Sequence, residues 1–231
     1  MSSSPAPVLH YIFDPLCGWC YAAAPLLAAA RALPGLALQW HAGGMLSGAA
    51  RRTITREWRA HVIPHDERIA ALTGQPFGDA YYDGLLLQVG AMLDSTPPIA
   101  AMLAAEAMAG RGLDLLARLQ TAHYVEGRQI GTLAVLQSVA GELGLDIQAF
   151  NLHYQHALAQ DVDSHIQQSR EWLQASGGQG FPTFVFEFTD RASGRRVAQR
   201  VDMGPWLGDA PGWAAHLQQG LDRAAGTLAQ A

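Results

Sequence analysis

The sequence predicts an α/β protein with a strand-helix-strand unit at its start, a large all-helical insertion, and a β-hairpin followed by a helix at its end. Three observations predict this class. An apolar run at residues 8–13 and an alternating run at 36–41 flank an alanine-rich stretch. The pattern of residues 53–176 is then helical almost throughout, and β-forming residues return after it. We therefore expect one domain from residues 1–52 and 177–231, with the insertion packed on its core.

The N-terminal unit is predicted to contain a strand, a kinked helix and a second strand. Residues 8–13 read VLHYIF, a short apolar run typical of a buried strand. Residues 21–33 favour a helix that ends at a Pro-Gly pair. Pro25 is expected to kink this helix, because proline removes a backbone hydrogen bond. Residues 36–41 alternate apolar and polar side chains and indicate the second strand.

The insertion is expected to contain four to six helices, separated by segments rich in proline and glycine. One such break is residues 61–65, where Pro64 is expected to interrupt a helix. Thr96 followed by Pro97 predicts the N-cap and first turn of a helix through residues 99–108.

The C-terminal segment predicts a hairpin and one helix. Residues 183–188 form a strand-like run, residues 190–196 a turn, and residues 197–201 an edge strand that pairs with the first. The last helix is predicted for residues 211–225. Its buried face is indicated by apolar residues spaced four apart, Trp213, Leu217 and Leu221.

The only two cysteines of the 231-residue chain are Cys17 and Cys20, and they stand between the first strand and the helix. Two cysteines placed at random in such a chain fall three residues apart about 1 time in 100. A chain of this length buries a core without disulfides, and two cysteines are too few for a disulfide-rich secreted scaffold. The spacing therefore indicates a chemical role.

Charge and hydropathy argue against nucleic acid and membranes as partners. The formal net charge is −5 and the pI is near 5.9, so no basic surface is expected. No stretch approaches the roughly 18 apolar residues of a transmembrane helix. The first basic residue is Arg31, so the N-terminal segment lacks the charged region of a secretory signal. We expect a cytoplasmic protein, where thiols are kept reduced and a reactive or metal-binding pair is favoured.

The position of the cysteines predicts unequal roles. Cys17 precedes the helix, where unpaired N–H groups and the positive end of the helix dipole stabilise a thiolate. Cys20 lies one turn further in and is expected to be more buried, with an ordinary or raised pKa. Cys17 is therefore predicted to attack a disulfide, and Cys20 to resolve the mixed disulfide that results.

Two other interpretations of the cysteine pair stay open. The cysteines could be buried and inert, spaced by accident. A tetrahedral zinc site would need two further ligands, and the sequence has no second Cys-x-x-Cys. His61 and His65 have the i, i+4 spacing of metal ligands, but they and the pair His153 and His156 are interpreted as solvated polar residues.

Two separated motifs resemble the DsbA-like branch of the thioredoxin superfamily. Residues 17–20 read CGWC with a proline eight positions after the first cysteine, and residues 180–183 read GFPT before a strand. Residues 11–26, YIFDPLCGWCYAAAPL, are similar to the cytoplasmic FrnE-like and protein-disulfide-isomerase-like members of the branch. The resemblance covers most of the chain and implies a thioredoxin fold with a helical insertion.

The resemblance also implies a substrate-binding loop. In this branch the proline that matches Pro182 is cis and faces the attacking sulfur. An extended substrate then binds the exposed backbone beside it, so the loop would consist of Phe181, Pro182 and Thr183. Trp19, inside the CGWC motif, is expected either to give apolar contact beside the sulfur or to pack on the insertion.

One position departs from the branch. Thioredoxins and DsbA carry a buried acid six residues before the first cysteine, where this chain has Tyr11. Asp14 is the nearest carboxylate in the sequence, and strand alternation does not show whether it points at Cys20. The handling of the Cys20 proton is therefore an open question at the level of sequence.

The residues and the resemblance predict a thiol-disulfide oxidoreductase or isomerase that acts on disulfide- or thiol-containing proteins, peptides or small molecules. No tightly bound cofactor is expected, and glutathione or another thiol is a candidate redox co-substrate. A second interpretation is a glutathione-dependent enzyme resembling 2-hydroxychromene-2-carboxylate isomerase or kappa-class glutathione transferase, against which the retained Cys20 argues. A third is a non-catalytic binding or chaperone-like module with vestigial thiols.

Overall fold

The computed structural model describes residues 5–190 and 193–226 of the chain. The described part has six strands: β1 Val8–Phe13, β2 Ala37–Ala42, β3 Arg52–Thr53, β4 Met92–Leu93, β5 Thr183–Thr189 and β6 Arg196–Val201. It has nine α-helices: α1 Gly18–Ala22, α2 Ala24–Arg31, α3 Arg56–Thr73, α4 Thr96–Ala109, α5 Gly112–Tyr124, α6 Leu133–Glu142, α7 Ile147–His156, α8 Val162–Ala175 and α9 Ala210–Ala225.

The main sheet has the strand order β2-β1-β5-β6. β1 runs parallel to β2 and antiparallel to β5, and β6 pairs antiparallel with β5 at the edge. The predicted strand-helix-strand unit and C-terminal hairpin are thereby confirmed. Of the predicted turn at 190–196, residues 191–192 lie outside the described part of the chain.

The helix after the cysteines is broken where proline predicts a kink. α1 ends at Ala22 and α2 begins at Ala24, with Pro25 in its first turn. A proline there lacks an N–H group that the first turn would leave unpaired in any case. α1 begins at Gly18, and Cys17 is its N-cap residue.

The predicted interruption at Pro64 is wrong, because α3 continues through it from Arg56 to Thr73. Proline removes one hydrogen bond from a helix but does not end it when the remaining turns are held by packing and caps. At the start of α3, the Thr55 hydroxyl accepts from the Trp58 N–H at 3.1 Å. At its end, Gly74 takes the left-handed conformation that closes a helix.

The predicted N-cap of α4 is also displaced. Thr96 is the first residue of the helix and Ser95 is the N-cap. The Ser95 hydroxyl makes no capping bond, because it donates to Asp14 Oδ1 at 2.9 Å and accepts from the Leu46 N–H at 3.2 Å. Asp94 Oδ1 instead accepts from the Thr96 N–H at 2.8 Å.

The insertion is helical with one exception. Six of the helices, α3 to α8, lie within it, as predicted. β3 and β4 form a small antiparallel pair that the sequence does not predict, since two residues are too few to show alternation. Buried side chains of the insertion and of the sheet form one continuous core. The proposed division of the chain at residues 53 and 176 stays a prediction.

Both faces of the main sheet are covered by helices. On one side Phe184 of β5 meets Trp213 of α9, with ring centroids 5.2 Å apart. Trp213, Leu217 and Leu221 are buried, as their spacing predicts. On the other side α8 packs on β2 and β1. None of the helices within residues 5–190 and 193–226 is both long and apolar enough to span a bilayer.

A buried histidine pair lies between the sheet and α8. His10 Nε2 is 3.2 Å from the Glu187 carboxylate, which can only accept, so this nitrogen carries the proton. His10 Nδ1 then accepts from His41 Nε2–H at 2.9 Å. The ring of Trp172 from α8 stacks on His10. Burial, with the neighbouring His10 and His165, lowers the pKa of His41 to about 4.

This pair predicts acid sensitivity. The unfolded chain takes a proton on histidine below about pH 6.5, whereas folded His41 stays neutral to about pH 4. The unfolded state therefore binds more protons in this interval, and the free energy of unfolding falls as the pH falls. Between about pH 7 and pH 4.5 we expect the free energy of unfolding of wild type to fall by about 2.5 kcal/mol more than that of His41→Gln. Urea unfolding measures both values. Equal losses in the two proteins would contradict the expectation.

Candidate active site

The two thiols lie at the start of α1 with very different surroundings. Cys17, the N-cap residue, has extended backbone angles, and its carbonyl accepts from the Cys20 N–H at 3.0 Å. Both thiols are free. Cys17 is 6 % exposed, whereas Cys20 is fully buried beneath it. Of the two, only Cys17 keeps any exposed surface.

The fold brings the second motif to the first. Cys17 Sγ donates to the Phe181 carbonyl at 3.6 Å, although the residues are 164 positions apart. The Phe181–Pro182 peptide bond is cis, as the resemblance implies. Thr183 is placed differently from its neighbours: its side chain is buried at the start of β5, and its hydroxyl donates to the Gly180 carbonyl at 2.8 Å. The contact with Cys17 is thus made by backbone of Phe181.

Residues from α8 fix the position of this loop. The Phe181 ring lies over Gly43, where an added Cβ would come within 2.3 Å of the ring. The Arg170 guanidinium donates to the carbonyls of Gly43 and Gly44 at 2.8 and 2.7 Å. The Phe181 loop therefore packs on the backbone of Gly43, and Arg170 of the insertion fixes that backbone by hydrogen bonds.

Two hydrogen bonds reach Cys20 from the segment that precedes the CGWC motif. The Asp14 backbone N–H donates to its sulfur at 3.5 Å, and the Tyr11 hydroxyl donates to its carbonyl at 3.2 Å. Burial, reinforced by the adjacent Cys17, raises the pKa of Cys20 well above its ordinary value. The expected burial of Cys20 is confirmed. Burial also raises the pKa of Tyr11, so this position contributes an un-ionised hydroxyl.

The Asp14 carboxyl group makes hydrogen bonds to three residues, and Cys20 is not among them. Its Oδ1 accepts from the Leu16 N–H at 2.8 Å and from the Ser95 hydroxyl at 2.9 Å, and its Oδ2 accepts from the Met45 N–H at 2.5 Å. Burial raises the pKa of Asp14 to about 6, outweighing these hydrogen bonds. The carboxyl group thus ties three segments together, and the contact with Cys20 comes from the Asp14 N–H.

A cavity of about 240 Å³ opens beside Cys17. Its walls are mostly apolar and come from the CGWC loop, from Met45 and Leu46, and from the insertion. Trp19 is half-buried in this wall, with the Arg68 guanidinium 5.7 Å above its ring. Trp19 thus packs on the insertion and lines the cavity next to Cys17, and its role in substrate binding stays a prediction. Pro182 and Thr183 line a separate hollow beside β6.

Several cavity residues are missing from the sequence-based site, and the most notable is Asp66. It is 3 % exposed, and its Oδ2 accepts from the Tyr81 hydroxyl at 2.9 Å. Burial raises the pKa of Asp66 to about 7, against the lowering effect of that bond. One signal could have found it: Asp66 interrupts the apolar face of α3 between Val62 and Ile69.

The histidines do not form a metal centre. His61 and His65 line the cavity, with ring centroids 5.0 Å apart. Within the described ranges, no three His, Cys, Asp or Glu side chains converge as a metal site. His153 and His156 are exposed, as interpreted from the sequence.

Comparison with known proteins agrees with this geometry. Residues 8–203 match the family model for the DSBA-like thioredoxin domain. The cytosolic disulfide reductase DsbM from Pseudomonas aeruginosa has 45 % sequence identity and a TM-score of 0.84, covering 94 % of this chain and 100 % of its own. The structure of DsbM with GSH gives 44 % identity and a TM-score of 0.83, and the match covers 93 % of this chain and 98 % of DsbM. No match was found among curated proteins.

More distant structures share the fold of this chain. A candidate protein disulfide isomerase from Nitrosomonas europaea has 26 % identity and a TM-score of 0.74, and the match covers 93 % of this chain and 99 % of that protein. A 2-hydroxychromene-2-carboxylate isomerase has 17 % identity and a TM-score of 0.55, and the match covers 93 % of this chain and 98 % of the isomerase. At this identity the similarity shows the fold alone. The chain belongs to the family of DSBA-like thioredoxin domains, and its class of activity is thiol-disulfide oxidoreduction.

Proposed function

We propose that this protein is a disulfide reductase that uses glutathione as its thiol co-substrate. The observation that carries the proposal is the pairing of an accessible Cys17 thiol, in contact with the Phe181 carbonyl, with a fully buried Cys20 beneath it. DsbM is described as a disulfide reductase and has a structure with GSH, so the similarity supports both disulfide reduction as the direction of the reaction and glutathione as the thiol.

The two thiols act in turn. The Cys17 thiolate attacks one sulfur of a substrate disulfide, forms a mixed disulfide and releases the first substrate thiolate. Cys20, losing its proton, attacks Cys17 Sγ, so that the second substrate thiolate leaves and the Cys17–Cys20 disulfide remains. One glutathione thiolate then attacks Cys17 Sγ and frees Cys20, which takes up a proton. A second attacks the bound glutathionyl sulfur, so that Cys17 is regenerated and glutathione disulfide leaves.

The surrounding residues position the substrate in this proposal. The backbone of Phe181 lies against Cys17 and offers hydrogen-bonding groups to an extended substrate. Pro182 and Thr183 set the course of this loop, the latter through its bond to the Gly180 carbonyl. Trp19 contributes apolar surface at the cavity beside the sulfur. No further cofactor is required by these steps.

We place the protein in the cytoplasm and take its substrates to be disulfide-containing proteins, peptides or small molecules. The cytosolic description of DsbM supports the compartment. A reducing compartment also supplies glutathione, which the proposed cycle consumes two molecules at a time.

Turnover with glutathione tests the proposal. We expect the protein to catalyse reduction of a model disulfide such as insulin with glutathione as the sole reductant, followed through glutathione reductase and NADPH absorbance. The physical reason is that Cys17 lines a cavity that a small thiol can enter, whereas Cys20 is fully buried. Turnover with a dithiol reductant and none with glutathione would refute the choice of co-substrate.

A further inference from the structure

The cavity beside Cys17 holds a carboxyl group that the reaction above does not use. Asp66 lies on the wall of the cavity that also contains Cys17. Its Oδ2 is fixed by the Tyr81 hydroxyl at 2.9 Å. Its Oδ1 packs against the CGWC loop, since a Cβ added at Gly18 would lie 3.1 Å from it. A carboxyl group buried in an apolar pocket is costly and rarely placed without a partner or a use.

No arginine pairs with Asp66 in the described part of the chain. Arg68, two residues along, is directed over Trp19 instead. The titratable groups facing the carboxyl from the elements around it are histidines and tyrosines, together with the cysteine itself: Cys17, His61, His65, Tyr81, Tyr82, His123 and Tyr124. The cavity therefore presents one acidic group next to the reactive sulfur.

We propose that Asp66 is the proton acceptor for the low-molecular-weight thiol that enters this cavity to reduce the Cys17–Cys20 disulfide. The inference rests on the proposed function, since it concerns the thiol-consuming half of that cycle. It assigns the cavity as the thiol subsite, and Tyr81 as the positioning residue that orients the carboxyl.

Reduction by the thiol begins with a proton transfer to Asp66. The Asp66 carboxylate takes the proton of the thiol, and the resulting thiolate attacks Cys17 Sγ. A new S–S bond forms, the Cys17–Cys20 bond breaks, and its electron pair goes to the Cys20 sulfur. Cys20 ends as a thiol because burial raises its pKa, and Asp66 gives up its proton as Cys20 gains one. No further oxidant or reductant enters.

A base beside the entering thiol would overcome the small ionised fraction that limits its attack. A free thiol with a pKa near 8.5 is only about 3 % ionised at pH 7, so complete deprotonation gains at most about 30-fold in rate. A general base is most effective when its pKa lies near the working pH. Burial raises the pKa of Asp66 to about 7, which meets this condition.

The test is single-turnover reduction of the oxidised protein by glutathione and by 2-mercaptoethanol across the pH range, in wild type, Asp66→Asn and Tyr81→Phe. Glu67→Gln, which removes an exposed carboxyl one residue away, is the matched control. A neutral phosphine, tris(3-hydroxypropyl)phosphine, reduces the same disulfide with no thiol proton to remove. Urea unfolding of each variant checks its fold.

With either thiol we expect Asp66→Asn to be about tenfold slower than wild type near pH 7, and to converge with it above the thiol pKa. The phosphine rate and the Glu67→Gln rates should match wild type. In Tyr81→Phe the inflection of the pH profile should move upward, because the Tyr81 hydrogen bond lowers the pKa of Asp66.

Three results would overturn the assignment: a thiol rate in Asp66→Asn equal to wild type, a difference that does not change with pH, or an equal loss with the phosphine. Failure of the proposed function looks different. If wild type reacts with 2-mercaptoethanol in an Asp66-dependent way and not with glutathione, the choice of co-substrate is wrong and the role of Asp66 stands. Wild type inert to both thiols would overturn both.

Discussion

Replacing Cys17 with serine is expected to lower kcat/KM for disulfide reduction by at least about 10³-fold. A serine hydroxyl is almost un-ionised at neutral pH and cannot form a disulfide, so neither half of the cycle can proceed. The fold should be little changed, because the hydroxyl occupies the N-cap position of α1, which serine favours. The measurement is glutathione-dependent turnover, with urea unfolding to verify stability.

Cys20→Ser is the matched control for this variant. It keeps the accessible thiol and removes only the buried one, so the first attack should proceed and stop at the mixed disulfide. Intact-mass analysis should then show one equivalent of substrate or glutathione bound through Cys17. If instead Cys17→Ser trapped the mixed disulfide and Cys20→Ser did not, the two roles would have to be exchanged.

Replacing Asp14 with alanine is expected to cost about 4 kcal/mol of unfolding free energy. The reason is the group of donors that its carboxyl satisfies: two backbone N–H groups, of Leu16 and Met45, and the Ser95 hydroxyl. Each would be left without its partner inside the protein. Urea unfolding near pH 5 measures the cost, and a loss below about 1 kcal/mol would contradict the tie between the three segments.

The cost of Asp14→Ala should also depend on pH with a defined sign. The pKa of Asp14 is about 6 in the folded protein, above its unfolded value, because burial disfavours the charged form. Its contribution is therefore complete at low pH and shrinks as the pH rises through 6. The cost measured at pH 5 should exceed that at pH 8. Ser95→Ala, which removes one of the three bonds, should show a smaller cost.

Local patterns were enough to predict the framework of the site. The CGWC motif stands between a clear strand and a clear helix, so its position at a helix start follows from short-range signals alone. The approach of Phe181 to Cys17, across 164 residues, came from resemblance to a known branch, because nothing in a sequence encodes such a distance locally. Geometry then showed that this contact is made by the backbone.

The errors have physical causes that lie outside local sequence. Pro64 carries a strong helix-breaking signal, yet tertiary packing of the apolar face of α3 keeps the helix intact. Ser95 displaces Thr96 as the N-cap residue, and its hydroxyl donates to Asp14 in the loop between β1 and α1. Asp66 was passed over because its burial depends on α3 meeting the CGWC loop. Only the finished fold brings those surfaces together.

The hydrogen bonds from Arg170 to the carbonyls of Gly43 and Gly44 affect how segments could be exchanged between related proteins. The insertion separates the two motifs in the chain, and yet its last helix supports the surface on which Phe181 rests. Exchanging insertions between relatives would therefore change the support of the Phe181 loop, which we propose binds substrate, as well as the walls of the cavity. The part of the chain that carries no cysteine is as much a component of the reactive centre as the part that does.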